Sequence, residues 1–280
     1  MRCRKCVLRA AGVSALMLLL LIAYGIWIEP YDIETVHLRL KDAYLGTVLG
    51  GMTVVQISDL HIGKIGKREL KVLGILHSLH PDIIFLTGDY VKWDGDYAAA
   101  LDFLARLRAR IGVWAVMGDY DYSRSRKSCL FCHERGGART AGYAVKFLRN
   151  SAKPIRLRNG TLWIVGLDTQ GERIALSKRE LLALSRARPP IILSHSPLVF
   201  RLLDKNRDAL VLAGDTHGGQ VPFPRWPWLL RELGYEKNIY NQGLFAAGRV
   251  KMYVNRGIGT SHIPIRILRP PEITVFHFEP

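Results

Sequence analysis

The sequence predicts an α/β fold: a four-layer αββα sandwich of two mixed β-sheets flanked by helices, preceded by an N-terminal hydrophobic helix. Three observations predict it. Short runs of Val, Ile, Leu and Phe, such as residues 83–86, are continuous rather than alternating, the pattern of strands covered on both faces. In the first half these runs alternate with segments of helical periodicity. Towards the C-terminus strand-like runs follow one another, a succession that calls for two packed sheets with helices outside. Ahead of all this, the residues from Ala10 to Ile28 carry no charge and are mostly apolar.

That first segment is long enough to cross a bilayer core, which takes about 20 residues of helix. Arg2, Arg4, Lys5 and Arg9 precede it, and Glu29, Asp32 and Glu34 follow. The positive-inside rule then keeps the N-terminus in the cytoplasm and puts the remainder outside if the segment spans. A signal peptide cleaved near Ala23-Tyr24-Gly25, or a monotopic anchor in the inner leaflet, would use the same residues. The expected division is an anchor over residues 1–30 and one domain over 31–280.

Tyr31 to Gly50 reads as a linker entering a first edge strand. Thr53–Ser58 is a strand. Lys67–His80 is a helix with Leu70, Leu73, Ile75, Leu76 and Leu79 at apolar positions, and Pro81 stops it. Asp82–Thr87 is the next strand, Ala98–Arg110 a helix carrying Leu101, Leu104 and Leu107, and Gly112–Met117 a strand. Leu162–Leu167, Ile191–Ser194 and Leu210–Ala213 are strands, with Ser177–Arg188 and Pro197–Lys205 as helices between them. Lys251–Asn255, Ile265–Leu268 and Glu272–Phe278 complete a β-rich C-terminal part.

A chain of 280 residues buries a sizeable core as one domain. Its net charge of +16 points to an anionic partner: an anionic membrane surface, a phosphate-bearing substrate or nucleic acid. No nucleic-acid-binding motif accompanies the basic residues, whose densest stretch runs from Arg106 to Arg158, so nucleic acid is not expected. The cysteines form two C-x-x-C pairs, Cys3/Cys6 and Cys129/Cys132. One pair precedes the apolar run and the other lies deep in the domain, so a shared four-thiolate site is not expected. Cys129/Cys132, with His133, reads as a basic surface loop that holds a disulfide if the domain is exported. Cys3 and Cys6 read as lipid-modified or inert.

Five motifs end strand-like runs and supply acids or imidazoles. They are Asp59-Leu60-His61, Gly88-Asp89, Gly118-Asp119-Tyr120-Asp121, Ser194-His195-Ser196 and Gly214-Asp215-Thr216-His217. Open α/β sheets bind ligands beyond the carboxyl ends of their strands, so the motifs converge if the strands share a sheet. Each alone has a plainer explanation: an Asp after a strand caps a turn, and a lone His is a satisfied core residue. Together, carboxylates and imidazoles are divalent-metal ligands. The set Asp59, His61, Asp89, Asp119, His195, Asp215 and His217 exceeds what one zinc takes and suits two ions. Two ions about 3.5–4 Å apart clamp the attacking and leaving oxygens of an in-line phosphoryl displacement, with a bridging hydroxide as nucleophile. Asp89 is the central, bridging carboxylate in this scheme.

These motifs resemble the signature of the calcineurin-like metallophosphoesterase superfamily, which runs D-x-H, G-D, G-N-H-[DE], H, G-H-x-H. The stretches Ile57-Ser58-Asp59-Leu60-His61, Thr216-His217-Gly218-Gly219-Gln220, Tyr253-Val254-Asn255-Arg256-Gly257-Ile258-Gly259 and Pro271-Glu272-Ile273-Thr274-Val275-Phe276 are similar to its membrane-associated branch of bacterial phosphodiesterases. The resemblance covers residues 30–280. It implies an anchored, binuclear phosphoesterase at a bacterial inner membrane, with the membrane face left open. One ion would be held by Asp59, His61, Asp89 and His217, the other by Asp89, Asp119, His195 and Asp215. Tyr120 and Asp121 take the motif's catalytic positions. Asn255 and Arg256 fall near the metals as substrate-binding residues, where Arg256 holds a phosphate oxygen or else makes a structural salt bridge.

The sequence departs from the pattern at three positions: Asp119 stands for Asn, Asp215 for His, and Tyr120 for the His near the leaving group. The second ligand set becomes richer in carboxylate, which favours Mn²⁺, with Mg²⁺, Fe²⁺ and Zn²⁺ as further candidates. A tyrosine, with a reference pKa of about 10, is a weaker acid than histidine at neutral pH. A leaving group that needs no protonation, as in a pyrophosphate or an acidic diester, therefore suits the site. UDP-2,3-diacylglucosamine, a pyrophosphate cleaved by metallophosphoesterases of lipid A synthesis, fits the anchor, the basic surface and the leaving group together. The alternatives are a domain that binds metal or anionic lipid without catalysis, and a nuclease. The stretch Pro222 to Leu230, with Trp226 and Trp228, is either a surface loop packed on the core or an interfacial element beside the metals.

Overall fold

The structure is a computed structural model of the chain, and it describes residues 2–92, 97–122, 145–170, 173–174, 189–222, 232, 239–261 and 263–280. Helix α1 (Arg2–Trp27) opens the chain and is, among the described residues, the one helix long and apolar enough to cross a membrane. Its lower end is fastened to the domain. The Gly25 carbonyl accepts from Arg266 N–H at 2.9 Å, and a side chain at Gly25 would put Cβ 2.7 Å from Arg266 O. The buried Glu29 carboxylate accepts the main-chain N–H groups of Leu268, at 2.9 Å, and Arg269.

Residues 31–50, expected as a linker entering an edge strand, fold into the edge strand β1 (Glu34–Lys41) and, beyond the expectation, helix α2 (Ala43–Leu49). The Asp42 carboxylate caps α2 by accepting from Tyr44 and Leu45 N–H at 3.1 and 2.9 Å. Next come β2 (Val54–Ile57), α3 (Lys67–Leu79), β3 (Ile83–Leu86), α4 (Tyr97–Arg106) and β4 (Gly112–Ala115), close to their expected positions. They are followed by β5 (Val145–Phe147), β6 (Ser151–Leu157), β7 (Gly160–Gly166) and a small ribbon of β8 (Thr169–Gln170) and β9 (Arg173–Ile174). The chain ends with β10 (Ile191–Leu193), β11 (Ala209–Ala213), β12 (Gly243–Ala247), β13 (Val250–Val254) and β14 (Glu272–Glu279).

Two mixed six-stranded sheets result. The first runs β1-β14-β2-β3-β4-β5 and is antiparallel only at β14–β2. The second runs β12-β13-β11-β10-β7-β6, parallel inside and antiparallel at both edges. Between them, Val54, Phe85 and Phe276 pack with Ile164, Leu193 and Leu212, and α2 adds Leu45, Val48 and Leu49. The outer face of the first sheet, with Val55, Ile84 and Leu86, is covered by Val72 and Leu76 of α3 and by Phe103 and Leu104 of α4. The outer face of the second carries Val165, Ile192 and Val211 against Val199, Phe200 and Leu203. Adjacent residues of one strand thus serve two cores, and each such side chain gains about 1.5–3 kcal/mol on burial. This is why the central strands read as unbroken apolar runs.

Two further expectations change. Pro197–Lys205 is helical only as a 3₁₀ turn, Pro197–Arg201. Ile265–Leu268 is not a strand, because its N–H groups go elsewhere: Arg266 to Gly25 O and Ile267 to Gln220 O, at 2.8 Å for the latter. The metal motifs do not share one sheet, since β2, β3 and β4 belong to the first and β10 and β11 to the second. Their carboxyl ends still meet, joined across the sheets by Gln56 Nε2, which donates to Ala213 O at 2.9 Å. The expected helix Ser177–Arg188, the Cys129/Cys132 loop and Trp226 and Trp228 lie outside the described residues.

Candidate metal centre

The loops leaving these strands turn sharply. Asp59, His61, Asp89, Asp215 and His217 all have positive φ, between 43° and 76°. Asp and His enter this left-handed region more readily than bulky or β-branched residues, at a cost on the order of 1 kcal/mol each. The glycines that precede the acids are fixed by close approach. A Cβ on Gly118 would lie 2.1 Å from Asp89 Oδ1, and one on Gly214 would lie 2.4 Å from Asp59 Oδ2. Main-chain bonds stitch the loops together: Asp59 N–H donates to Gly88 O at 2.9 Å and His61 N–H to Asp89 O at 3.0 Å.

The side chains form two overlapping groups, Asp59/His61/His217 and Asp59/Asp89/His195, each with donor atoms within 4.8 Å of one another. All five residues are buried. His61 Nε2 faces His217 Nε2 at 3.1 Å and Asp89 Oδ2 at 3.4 Å. His195 Nε2 lies 3.5 Å from Asp89 Oδ2 and 3.8 Å from Asp215 Oδ1. Asp59 belongs to both groups, and Asp89 belongs to the second while lying 3.4 Å from His61 of the first. Asp215 N–H donates to both Asp59 oxygens, at 3.0 and 3.1 Å. Asp119 opens a 3₁₀ turn (Asp119–Asp121) beside the groups and is in neither of them.

These residues fit divalent ions. His195 Nδ1 is engaged with the Thr87 carbonyl at 2.8 Å, which turns Nε2 towards the carboxylates, where it is buried without a hydrogen-bond partner. A buried imidazole nitrogen aimed at two carboxylates, with its other nitrogen held by a carbonyl, is the usual setting of a metal-binding His. Burial pushes the Asp59 carboxyl up to about 7, against the pull of His195. Burial also lowers His61 to about 4, and together with His61 and the Arg266 guanidinium it holds His217 well below the ordinary imidazole range. Burial opposes charge on Asp89 and His195 as well, but their mutual attraction outweighs it. Asp89 is held below the usual carboxylate range and His195 well above the usual imidazole range. Within this cluster Asp89 and His195 favour their charged forms, and Asp59, His61 and His217 their neutral ones; a bound dication would favour loss of the acidic protons of Asp59 and His195.

The outer residues fall into place behind the groups. Asp121 is fully buried and accepts N–H from Gly118 and Asp89, each at 2.8 Å, and from Tyr90 at 2.7 Å. It positions the Asp89 loop. Tyr120 donates its N–H to Asp89 Oδ1 at 2.9 Å, and its half-buried ring stands edge-on to His61 with centroids 4.6 Å apart. Asn255 is buried, donating to Thr274 Oγ1 at 2.8 Å and accepting from Gly257 N–H at 2.7 Å. The Arg256 guanidinium is engaged by Glu272 at 2.6 Å and Glu34 at 2.5 Å, the salt-bridge alternative for this residue. Both residues hold the loop whose Ile258 and Gly259 N–H groups bind Ser58 O and Asp59 O, at 3.0 and 2.6 Å.

Arg266 escaped the sequence reading. It is completely buried, donates to the carbonyls of Arg256, Gly257 and Gly259, and brings Nη2 within 3.5 Å of His217 Nδ1. An arginine between two isoleucines, in a stretch that reads as a strand, carries no signal of this.

A buried set of Asp and His donors, where the strands of two facing sheets end, is the donor chemistry of a divalent-metal protein. The family model described as calcineurin-like phosphoesterase matches residues 52–219. The metallophosphoesterase YkuE of Bacillus subtilis is 30% identical over 262 residues, 90% of this chain and 88% of its own. A metallophosphoesterase of Aquifex aeolicus is 31% identical over 265 residues, 90% of this chain and 91% of its own. The UDP-2,3-diacylglucosamine pyrophosphatase LpxG of Chlamydia trachomatis is 30% identical over 285 residues, 83% of this chain and 85% of its own. The chain belongs to the calcineurin-like phosphoesterase family and is a metal-dependent phosphoester hydrolase.

Proposed function

We propose that the chain is a membrane-anchored enzyme that uses two divalent ions to hydrolyse a phosphodiester or pyrophosphate in a lipid-linked substrate. The observation that carries this reading is the pair of overlapping groups Asp59/His61/His217 and Asp59/Asp89/His195. Asp59, His61, Asp89 and His217 would hold one ion, and Asp89, Asp119, His195 and Asp215 the other. The carboxylate-rich second set suits Mn²⁺. Bound ions would supply Lewis-acid polarisation of the phosphoryl group and a more acidic water. The chain's own part is positioning. Asp121 holds the Asp89 main-chain N–H, the Tyr120 N–H holds the Asp89 carboxylate, and the Thr87 carbonyl sets the His195 ring. The Tyr120 side chain, beside His61, is the acid nearest the leaving group in this reading. Its weak acidity favours a substrate whose leaving group departs as a phosphate or another stable anion. The anchored state is supported by the apolar α1 and its ties to Arg266 and Arg269. The lipid-linked substrate is supported by the likeness to the chlamydial pyrophosphatase.

The test uses the full-length protein in detergent micelles with Mn²⁺. The substrates are UDP-2,3-diacylglucosamine and bis(p-nitrophenyl) phosphate, with Asp89→Ala as control. Cleavage that needs the metal, and that falls at least about 10³-fold in the variant, supports the reading. A protein that takes up Mn²⁺ yet cleaves neither compound is a binding module instead.

A further inference from the structure

A cleft of about 870 Å³ opens beside the candidate metal centre. Its lining includes His61, a proposed ligand, and also Trp27 and Tyr31, where α1 ends and the chain turns into the domain. Between them it is strongly cationic. Lys64, Lys67, Arg68, Lys71 and Lys92 line it, against Glu69 as the carboxylate of the lining. That carboxylate is engaged internally, accepting from Arg68 at 2.7 Å and from Gly66 N–H at 2.9 Å. Lys71 donates to the Tyr31 carbonyl at 2.9 Å and ties the cationic wall to the turn below α1. Lys64, Lys67 and Lys92 are exposed and pair with no carboxylate among the described residues. Like charges gathered in one concave site repel each other and concentrate an anion there. The rim has a different chemistry: Trp27 is 70% exposed and Tyr31 48%. Amphipathic aromatics at the end of an apolar helix belong at the headgroup level of a bilayer.

We propose that this cleft binds the polyanionic headgroup of a membrane lipid, the substrate of the centre. The scissile phosphoryl group would sit at the His61 end and a second anionic group on Lys64, Lys67 and Lys92. The acyl chains would leave past Trp27 and Tyr31 along α1. This rests on the lipid-linked reading above and moves recognition away from Arg256, whose guanidinium is held by Glu34 and Glu272. The ties of α1 at Gly25, and of the turn after it at Glu29 and Tyr31, keep the membrane end of the cleft at a fixed place relative to His61.

The test is calorimetric binding to the full-length protein in neutral detergent, stripped of metal with EDTA so that no turnover intrudes. Dioctanoylglycerol pyrophosphate is compared with inorganic pyrophosphate. The lipid is expected to bind at least about tenfold more tightly, and Lys67→Glu/Lys92→Glu to weaken it by at least about tenfold. Lys153→Glu/Arg158→Glu, the same charge change on the exposed edge strand β6 and its turn, is expected to weaken it less than about threefold. Equal binding of inorganic pyrophosphate would make this a free-anion site and overturn the proposal. Equal weakening by the two double variants, or no weakening by the first, would overturn it too. Unchanged thermal unfolding of the variants excludes misfolding as the cause. The hydrolytic reading fails separately, if the wild-type protein binds the lipid in this way but, loaded with Mn²⁺, cleaves no diester or pyrophosphate.

Discussion

The guanidinium of Arg266 lies 3.5 Å from His217, Nη2 to Nδ1, while the main-chain N–H of the same arginine donates to the Gly25 carbonyl at 2.9 Å. One residue thus touches both a proposed metal ligand and the end of the apolar helix. Its fork also gathers the carbonyls of Arg256, Gly257 and Gly259. Arg266→Ala is expected to lower stability by about 3 kcal/mol or more, because it leaves buried carbonyls without donors. Arg266→Lys should recover part of the charge but not the fork. Thermal unfolding together with Mn²⁺ titration checks this, and an Ala variant as stable as the parent would sink it.

Asp121 lies behind the metal groups and holds three main-chain N–H groups. Asp121→Ala should therefore weaken metal binding by about 10–100-fold, the typical effect of losing a residue that orients a ligand. Asp121→Asn, which keeps one carbonyl oxygen, should lose less. The check is a metal-binding isotherm for each variant, and equal affinities across the series would contradict the assignment.

Tyr120 occupies the position where the family pattern has His. Tyr120→His should raise turnover of an alkyl phosphodiester by up to about 10²-fold, because that leaving group needs a proton. The same change should alter pyrophosphate cleavage much less. Parallel rate measurements on the two substrate types decide it, and equal gains on both would remove Tyr120 from this role.

Metal-free protein should lose stability as pH rises from about 6.5 to about 8. Asp59 and Asp121 have carboxyls pushed up by burial, to about 7 and about 8, so their stabilising neutral forms are lost across this window. His195, held well above the usual imidazole range by Asp89, Asp215 and Asp59 in spite of its burial, gives a contribution that is also lost as pH rises. His61 and His217 act in the opposite sense, but their contribution is complete above the ordinary imidazole value of 6.5. The midpoint should fall by about 2–4 °C for each kcal/mol lost. Saturating Mn²⁺ should reverse the slope, since the ions require ionised carboxylates. Unfolding curves at several pH values, with EDTA and with Mn²⁺, test this. Equal slopes in the two conditions would refute it.

What the sequence disclosed follows from which strands are covered twice. β2, β3, β4, β10 and β11 lie inside their sheets, so they read as unbroken apolar runs, and the motifs at their ends were legible. The strands whose bounds were not legible are all edges: β1, β5, β6, β12 and both strands of the β8–β9 ribbon. An edge strand is exposed on one side, and β6 even carries Pro154, which an edge tolerates. At the site, the metal-binding residue types were visible in order. The partners of Arg256 were not, because Glu34 is far from it in sequence and the two meet only when β1 pairs with β14. Arg266 was hidden for the same reason: its neighbours Gly25, Gly257 and His217 come from three separate parts of the chain.

The insertion of β14 between β1 and β2 has a consequence for how the protein is made. On the ribosome, Asp59, His61 and Asp89 emerge long before residues 257–259, which clasp the Asp59 loop, and before β14, which pairs with β2. Until the last strand leaves the exit tunnel, β1 and β2 present unpaired edges and the ligand loops lack their backing. The ligand loops thus gain their full backing only after β14 has emerged. The nascent chain, already held at the bilayer by α1 in the proposed arrangement, spends that interval as an open half-sheet in need of protection from aggregation.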